Sequence, residues 1–332
     1  MSSLRDRYNF AGFELALSVR RTLKSAIDCV GRGLHTGMPV RLRLVPAEPG
    51  TGIVFHRTDL GSDDLARDRG CKIPAKYDLV SDTRLCTVLS LPGRDAASVS
   101  TVEHLLAALA ANDIDDVIIE LDAPELPILD GSAAPYLFLI QSAGIVEHAG
   151  ARSSVEILRS VRVECGEAFA ELRPHSAGAY AAMGLDLSLA IDFPSAAIGR
   201  QALSMRLTPE SFAADLASAR TFTMASEIES LKKAGLAKGG SLANAIVVED
   251  TQVMNPEGLR WQDEFVRHKL LDVVGDLALA GGPLIGRFIG NRTGHTLNNQ
   301  LLRALFADPA NYRITGQIFA GIPLQIPAAA PV

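Results

Sequence analysis

FVRHKLLDVVGDLAL, residues 265–279, has helical spacing on one side and an unusual polar row on the other. Val266, Leu270, Val273, Val274 and Leu277 form an apolar stripe, so the segment reads as a helix laid on a core. The other side carries His268, Asp272 and Asp276, each four residues after the last. Asp is a weak helix former in mid-helix. An imidazole and a carboxylate at i and i+4 have Cβ atoms about 6 Å apart and can share one metal ion. Taken alone, the pair is more simply a solvated polar face or a helix ion pair.

Upstream, TPESFAADLASAR (208–220) is a helix capped by Thr208, and MASEIESLKKAG (224–235) is a second that ends at Gly235. In the first half, VRLRLVPA (40–47) alternates apolar and polar residues, and TGIVFHRTDL (51–60) follows a Pro/Gly turn. That order predicts a hairpin. GSDDLARDRG (61–70) is a charged loop, while 83–91 and 116–122 are strands. In STVEHLLAALAANDI (100–114), Ser100 and Glu103 have the spacing of a capping box. Asp130 or Ser132 caps a further helix. The small, polar run at 146–157 marks a boundary. The whole reads as α+β: an N-terminal extension at 1–17, then two domains of similar design at 18–148 and 153–325. Each is a sheet layered with two main helices.

Composition narrows the class. The 332 residues are 48% apolar and 21% charged, enough for a sizeable core, and the net charge is −6. With a pI near 5.7, a basic nucleic-acid or anionic-membrane face is not expected. The four cysteines, Cys29, Cys71, Cys86 and Cys165, form no CxxC, which argues against a disulfide framework or thiolate zinc knuckle. No secretory h-region and no apolar run of ~18 residues is evident. A soluble, cytoplasmic protein without a stable membrane anchor is the expectation.

Two more of the seven histidines have telling neighbours. Adjacent residues on a helix diverge by about 100°, so Glu103 and His104 would flank one site, the His as ligand and the Glu toward a water. The plainer reading makes Glu103 part of a cap and His104 a surface residue. His295, in NRTGHTLNNQ (291–300), follows a glycine at the end of a strand. As a loop histidine it could carry a proton near neutral pH, or simply sit in a turn.

Taken together, eight segments resemble one family. They are GLHTG (33–37), LCT (85–87), STVEHLLAALA (100–110), APELPILDGSAAPY (123–136), ARTFT (219–223), GLAKGGSLANAIVVED (235–250), DEFVRHKLLDVVGDLALAG (263–281) and TGHTLNNQLL (293–302). In order, they resemble the zinc-dependent UDP-3-O-acyl-N-acetylglucosamine deacetylases of lipid A biosynthesis, over about 18–307. The resemblance implies two β-α-α-β sandwich domains with the active site at their interface. It implies one catalytic Zn2+ on His104, His268 and Asp272. Glu103 is then the general base, Asp276 the partner of His295, and Thr221 a hydroxyl near the oxyanion. Lys269 and Arg292 match positions near the substrate phosphates, and Phe222 lines the nucleotide and sugar region. An insert around 223–251 forms an apolar passage for the acyl chain. The implied partner is a UDP-linked acylated amino sugar, bound by a monomer, with no nucleic acid. The rivals are another zinc hydrolase on the same scaffold, with a different passage, and a non-enzymatic RNA-binding module, which the acidic pI disfavours.

Overall fold

The computed structural model describes residues 19–60, 71–175 and 184–316, with the backbone of two short strands at Asn9–Phe10 and Phe13–Glu14. Most of the extension at 1–17, the charged loop at 61–70 and everything beyond 316 lie outside the described residues.

In the first half, Pro39–Pro46 buries Val40, Leu42 and Leu44 on one face. Val117–Leu121 likewise buries Val117, Ile119 and Leu121. This alternation belongs to a sheet with one face on the core. The strand order is Ile27–Arg32, Pro39–Pro46, Val117–Leu121, Ile53–Arg57, Lys72–Pro74. The hairpin expected between 40–47 and 51–60 is therefore absent. Val117–Leu121 lies between them, antiparallel to one and parallel to the other. The turn itself holds the intruding strand: Gly52 N–H donates to Asp116 Oδ1 at 2.7 Å, and Val117 N–H donates to Gly52 O at 3.0 Å.

Two helices complete this half, α1 (Glu103–Ala111) and α2 (Ala134–Ala143). Every residue of α1 except Ala110 is buried, as a helix with no solvent face requires. The expected Ser100 cap is not made. Ser100 ends the strand Arg94–Ser100, paired with Val88, and Thr101 turns the chain with φ of 57°. Val102 stands at the N-cap without a side-chain bond, which frees the Glu103 carboxylate for other contacts.

The second half is built around Leu284–Asn291. This strand pairs antiparallel with Ala168–Arg173, and parallel with Leu185–Asp192 and Ser154–Ile157. Its helices are α3 (Pro209–Ser211), α4 (Ala225–Lys233), α5 (Glu264–Ala278) and α6 (His295–Ala307). Thr208 and Ser211 cap α3 reciprocally, and the chain runs on into a π-turn at Phe212–Leu216. Phe222–Met224, α4 and Ile246–Glu249 form a parallel βαβ unit. His295 is the first residue of α6 and not a loop residue: Gly294, extended at φ −155°, is its N-cap.

The buried apolar side chains of both halves join in one core. At its centre α5 crosses α1, and Gly275 decides how closely. A Cβ on Gly275 would stand 2.0 Å from the carbonyl oxygen of Glu103, inside any permitted contact. Its absence lets the two backbones touch. The polar row of α5 is consequently buried and not solvated: His268, Asp272 and Asp276 are 2%, 3% and 2% exposed. No helix among the described residues is long and apolar enough to cross a membrane.

Candidate metal centre

α5 and α1 bring three candidate ligands together, His268 and Asp272 from the one and His104 from the other. His268 Nδ1–H donates to the Ala219 carbonyl at 3.0 Å, which turns Nε2 toward Asp272. Asp272 Oδ1 lies 3.5 Å from His268 Nε2 and 3.6 Å from His104 Nε2. One ligand atom from each of the three residues lies within 4.8 Å of the others. Burial pushes the His268 imidazole down to about 4, against the pull of Asp272. The Asp272 carboxyl is held well below its usual range: burial works against ionisation, and its cationic and hydrogen-bonding neighbours, Lys269 and His104 among them, outweigh it.

A neutral imidazole and a carboxylate thus point lone pairs at one another, and Asp272 Oδ1 is buried without a hydrogen-bond partner. A shared cation relieves that arrangement, and an orphaned buried acceptor otherwise costs about 1–3 kcal/mol. Two imidazoles and one carboxylate are a donor set that suits a divalent transition metal and leaves a coordination position open. The other carboxylate oxygen, Asp272 Oδ2, accepts from Lys269 Nζ at 2.9 Å. Burial would lower the Lys269 pKa, but Asp272 raises it, so the ammonium stays charged and bonds the oxygen other than Oδ1.

Glu103 and His295 stand beside this triad. Glu103 Oε2 accepts the Thr87 N–H at 3.1 Å, and Oε1 lies 3.9 Å from His295 Nε2. Burial raises the Glu103 pKa, with His295 and His104 opposing. A carboxylate so placed takes a proton more readily than one in water. His295 Nδ1–H donates to Asp276 Oδ2 at 2.8 Å. Burial disfavours the charged ring, yet Asp276 above all lifts His295 to about 9. Asp276 also accepts from Asn298 Nδ2 at 2.8 Å and from the Thr87 hydroxyl at 2.6 Å.

These groups open on a cleft of about 900 Å³, lined among others by Thr221, Phe222 and Lys269. Thr221 is fixed by its backbone, donating to Gly131 O and accepting from Ile246 N–H, both at 2.8 Å. The Phe222 ring meets Phe193, Phe265 and His268 edge-on. A second cavity of about 700 Å³ shares Leu34, Leu85 and Phe222 with the cleft and runs along α4, past Ile228 and Leu231. Arg292 stands apart. Its guanidinium pairs with Glu167 at 2.6 Å, and it is not among the residues lining the cleft.

Several residues that hold this site carry no signal of their own in the sequence. The Ala219 carbonyl, Thr87 and Asn298 each bond a proposed functional side chain. Glu125, wholly buried, accepts the His35 and Thr36 N–H groups and fixes the 33–37 loop beside the cleft. All lie in segments that carried the resemblance, but no spacing rule singles them out.

The comparisons with known proteins agree with the geometry. Residues 20–307 match the family model described as UDP-3-O-acyl N-acetylglycosamine deacetylase. A UDP-3-O-acyl-N-acetylglucosamine deacetylase of Shewanella frigidimarina is 46% identical over 289 residues, 87% of this chain and 90% of the relative. One of the same name from Shewanella sediminis is 43% identical over 317 residues, 94% of this chain and 98% of the relative. With the family model spanning most of the chain and relatives this similar along nearly their whole length, the chain belongs to the UDP-3-O-acyl-N-acetylglucosamine deacetylase family.

Proposed function

We propose that this protein hydrolyses the N-acetyl group of UDP-3-O-(3-hydroxyacyl)-N-acetylglucosamine in lipid A biosynthesis, with one Zn2+ on His104, His268 and Asp272. The products are acetate and UDP-3-O-(3-hydroxyacyl)-glucosamine. The observation that carries the reading is the convergence on one cleft of a His/His/Asp triad with an unpartnered Asp272 oxygen, a buried glutamate and a histidine paired to Asp276.

When bound, Zn2+ supplies Lewis-acid charge and makes a water acidic near neutral pH. Glu103, its proton affinity raised by burial, takes a proton from the water that attacks the acetamide carbonyl. The Thr221 hydroxyl donates to the oxygen on which negative charge develops. His295, protonated through Asp276, stabilises that charge and delivers a proton to the departing amine. Lys269 at the cleft wall supports diphosphate binding, Phe222 packs on the sugar and nucleotide, and Arg292 reaches the phosphates by leaving Glu167. The acyl chain occupies the cavity along α4. We take the working form to be a cytoplasmic monomer without a membrane anchor or nucleic-acid partner.

The test is acetate release from the UDP-linked substrate by protein stripped of metal and then reloaded with Zn2+. Activity that returns in proportion to bound zinc supports the reading. Full activity in the stripped protein, or hydrolysis of the ester in place of the amide, refutes it.

A further inference from the structure

Glu103 and His295 come from different halves of the chain, and at 3.9 Å neither fixes the other. Thr87 spans the space behind them. Its backbone N–H donates to Glu103 Oε2 at 3.1 Å, and its hydroxyl donates to Asp276 Oδ1 at 2.6 Å. The residue is 1% exposed, so water does not compete for either bond. It is itself rigidly carried. It precedes the strand Val88–Leu91, whose neighbour Arg94–Ser100 leads into α1. The other oxygen of Asp276 is held by the Asn298 amide, and the Thr293 hydroxyl donates to Asn298 Oδ1 at 2.8 Å and so orients that amide. Asp276 thus has both oxygens fixed, and the Thr87 side shares its anchor with Glu103.

We propose that Thr87 is a positioning residue for the deacetylation: one residue ties the carboxylate of the proton acceptor to the carboxylate behind the proton donor, and so sets the distance between the two proton-handling groups. The inference rests on the deacetylase reading. Thr87 is not among the residues lining the cleft, so it acts through Glu103 and Asp276. Few residue types serve here, because the position needs a free main-chain N–H and a side-chain hydroxyl at Cβ. Serine has both, whereas valine keeps the shape and the N–H but loses the hydroxyl.

The experiment compares Thr87→Val, Thr87→Ala and Thr87→Ser as zinc-loaded full-length protein. Thr87→Ala repeats the loss without placing a methyl against Asp276. A positioning role predicts a kcat loss of about 10- to 100-fold in the first two, the scale that a small misplacement costs. KM should stay within about twofold, since substrate contacts are unchanged. Thr87→Ser should restore most of kcat. In parallel, ring ¹⁵N resonances of His295 are followed by NMR in metal-free protein. They should move in Thr87→Val and Thr87→Ala and return in Thr87→Ser. Unmoved His295 signals, an unchanged kcat in Thr87→Val, or a Thr87→Ser variant as slow as Thr87→Val would overturn the proposal. Failure of the wild-type protein to release acetate sinks the deacetylase reading instead, and the His295 signals still decide whether Thr87 ties the two carboxylates.

Discussion

Asp276→Asn removes a charge from the site and little else. In the native protein Oδ2 accepts from His295 and Asn298, each at 2.8 Å, and Oδ1 accepts from Thr87 at 2.6 Å. An asparagine fits the same place. Its amide oxygen takes the Oδ2 contacts, and its amide nitrogen faces the Thr87 hydroxyl, which accepts as well as donates. What vanishes is the largest of the negative charges that, against burial, lift His295 from 6.5 to about 9; Glu103 and Asp272 contribute less and remain. At ~1.36 kcal/mol per pH unit, that lift favours the protonated ring by about 3 kcal/mol. At pH 7.5 a ring titrating near 9 is roughly 97% protonated, and one near 6.5 roughly 9%. The variant should therefore lose about tenfold in kcat at that pH from protonation alone. The assay is a histidine ring NMR titration of metal-free wild-type and variant protein, beside pH–rate profiles of the zinc-loaded forms. The His295 midpoint should fall toward or below 6.5, and the alkaline limb of the profile should move down with it. Stability follows the same sign. Protonated His295 stabilises the fold below its ordinary pKa of 6.5, and that contribution fades as pH rises through about 9. The variant should lose this fall in stability with pH. A His295 midpoint that moves by less than about half a pH unit would refute the reasoning.

Three further perturbations test other parts of the site. His268→Ala or Asp272→Ala should lose most bound metal, measured by elemental analysis after dialysis; stoichiometric metal in both would remove them from the ligand set. Glu103→Gln should keep its metal and lose ~10²–10⁴-fold in kcat, so a near-native kcat would rule out Glu103 as the proton acceptor. Gly275→Ala places a Cβ 2.0 Å from the Glu103 carbonyl oxygen; overpacking typically costs ~1–3 kcal/mol, and thermal unfolding should show the loss together with weakened metal binding as α5 is pushed off α1.

By itself the sequence determined the local geometry and the kinship of the chain. The spacing of Val266, Leu270, Val273, Val274 and Leu277 makes a helix, and that helix necessarily aligns His268, Asp272 and Asp276. Spacing along one element is set by its own dihedral angles, so it needs no partner. The motifs from GLHTG to TGHTLNNQLL likewise carry the family resemblance without reference to the fold. Contacts between distant segments needed the tertiary structure. Alternation in Pro39–Pro46 and the turn before Ile53–Arg57 identify both as strands but not which strands they pair with, and Val117–Leu121 separates them. Ser100 and Glu103 had the spacing of a cap, yet strand pairing claimed Ser100, and burial turned Glu103 toward Thr87. Only the packing of α5 on α1, permitted by the missing Cβ of Gly275, converts a polar row into a buried site at the base of a cleft. There His104 from one half meets His268 and Asp272 from the other, with ligand atoms close enough that one cation could hold all three and with Asp272 Oδ1 buried without a partner.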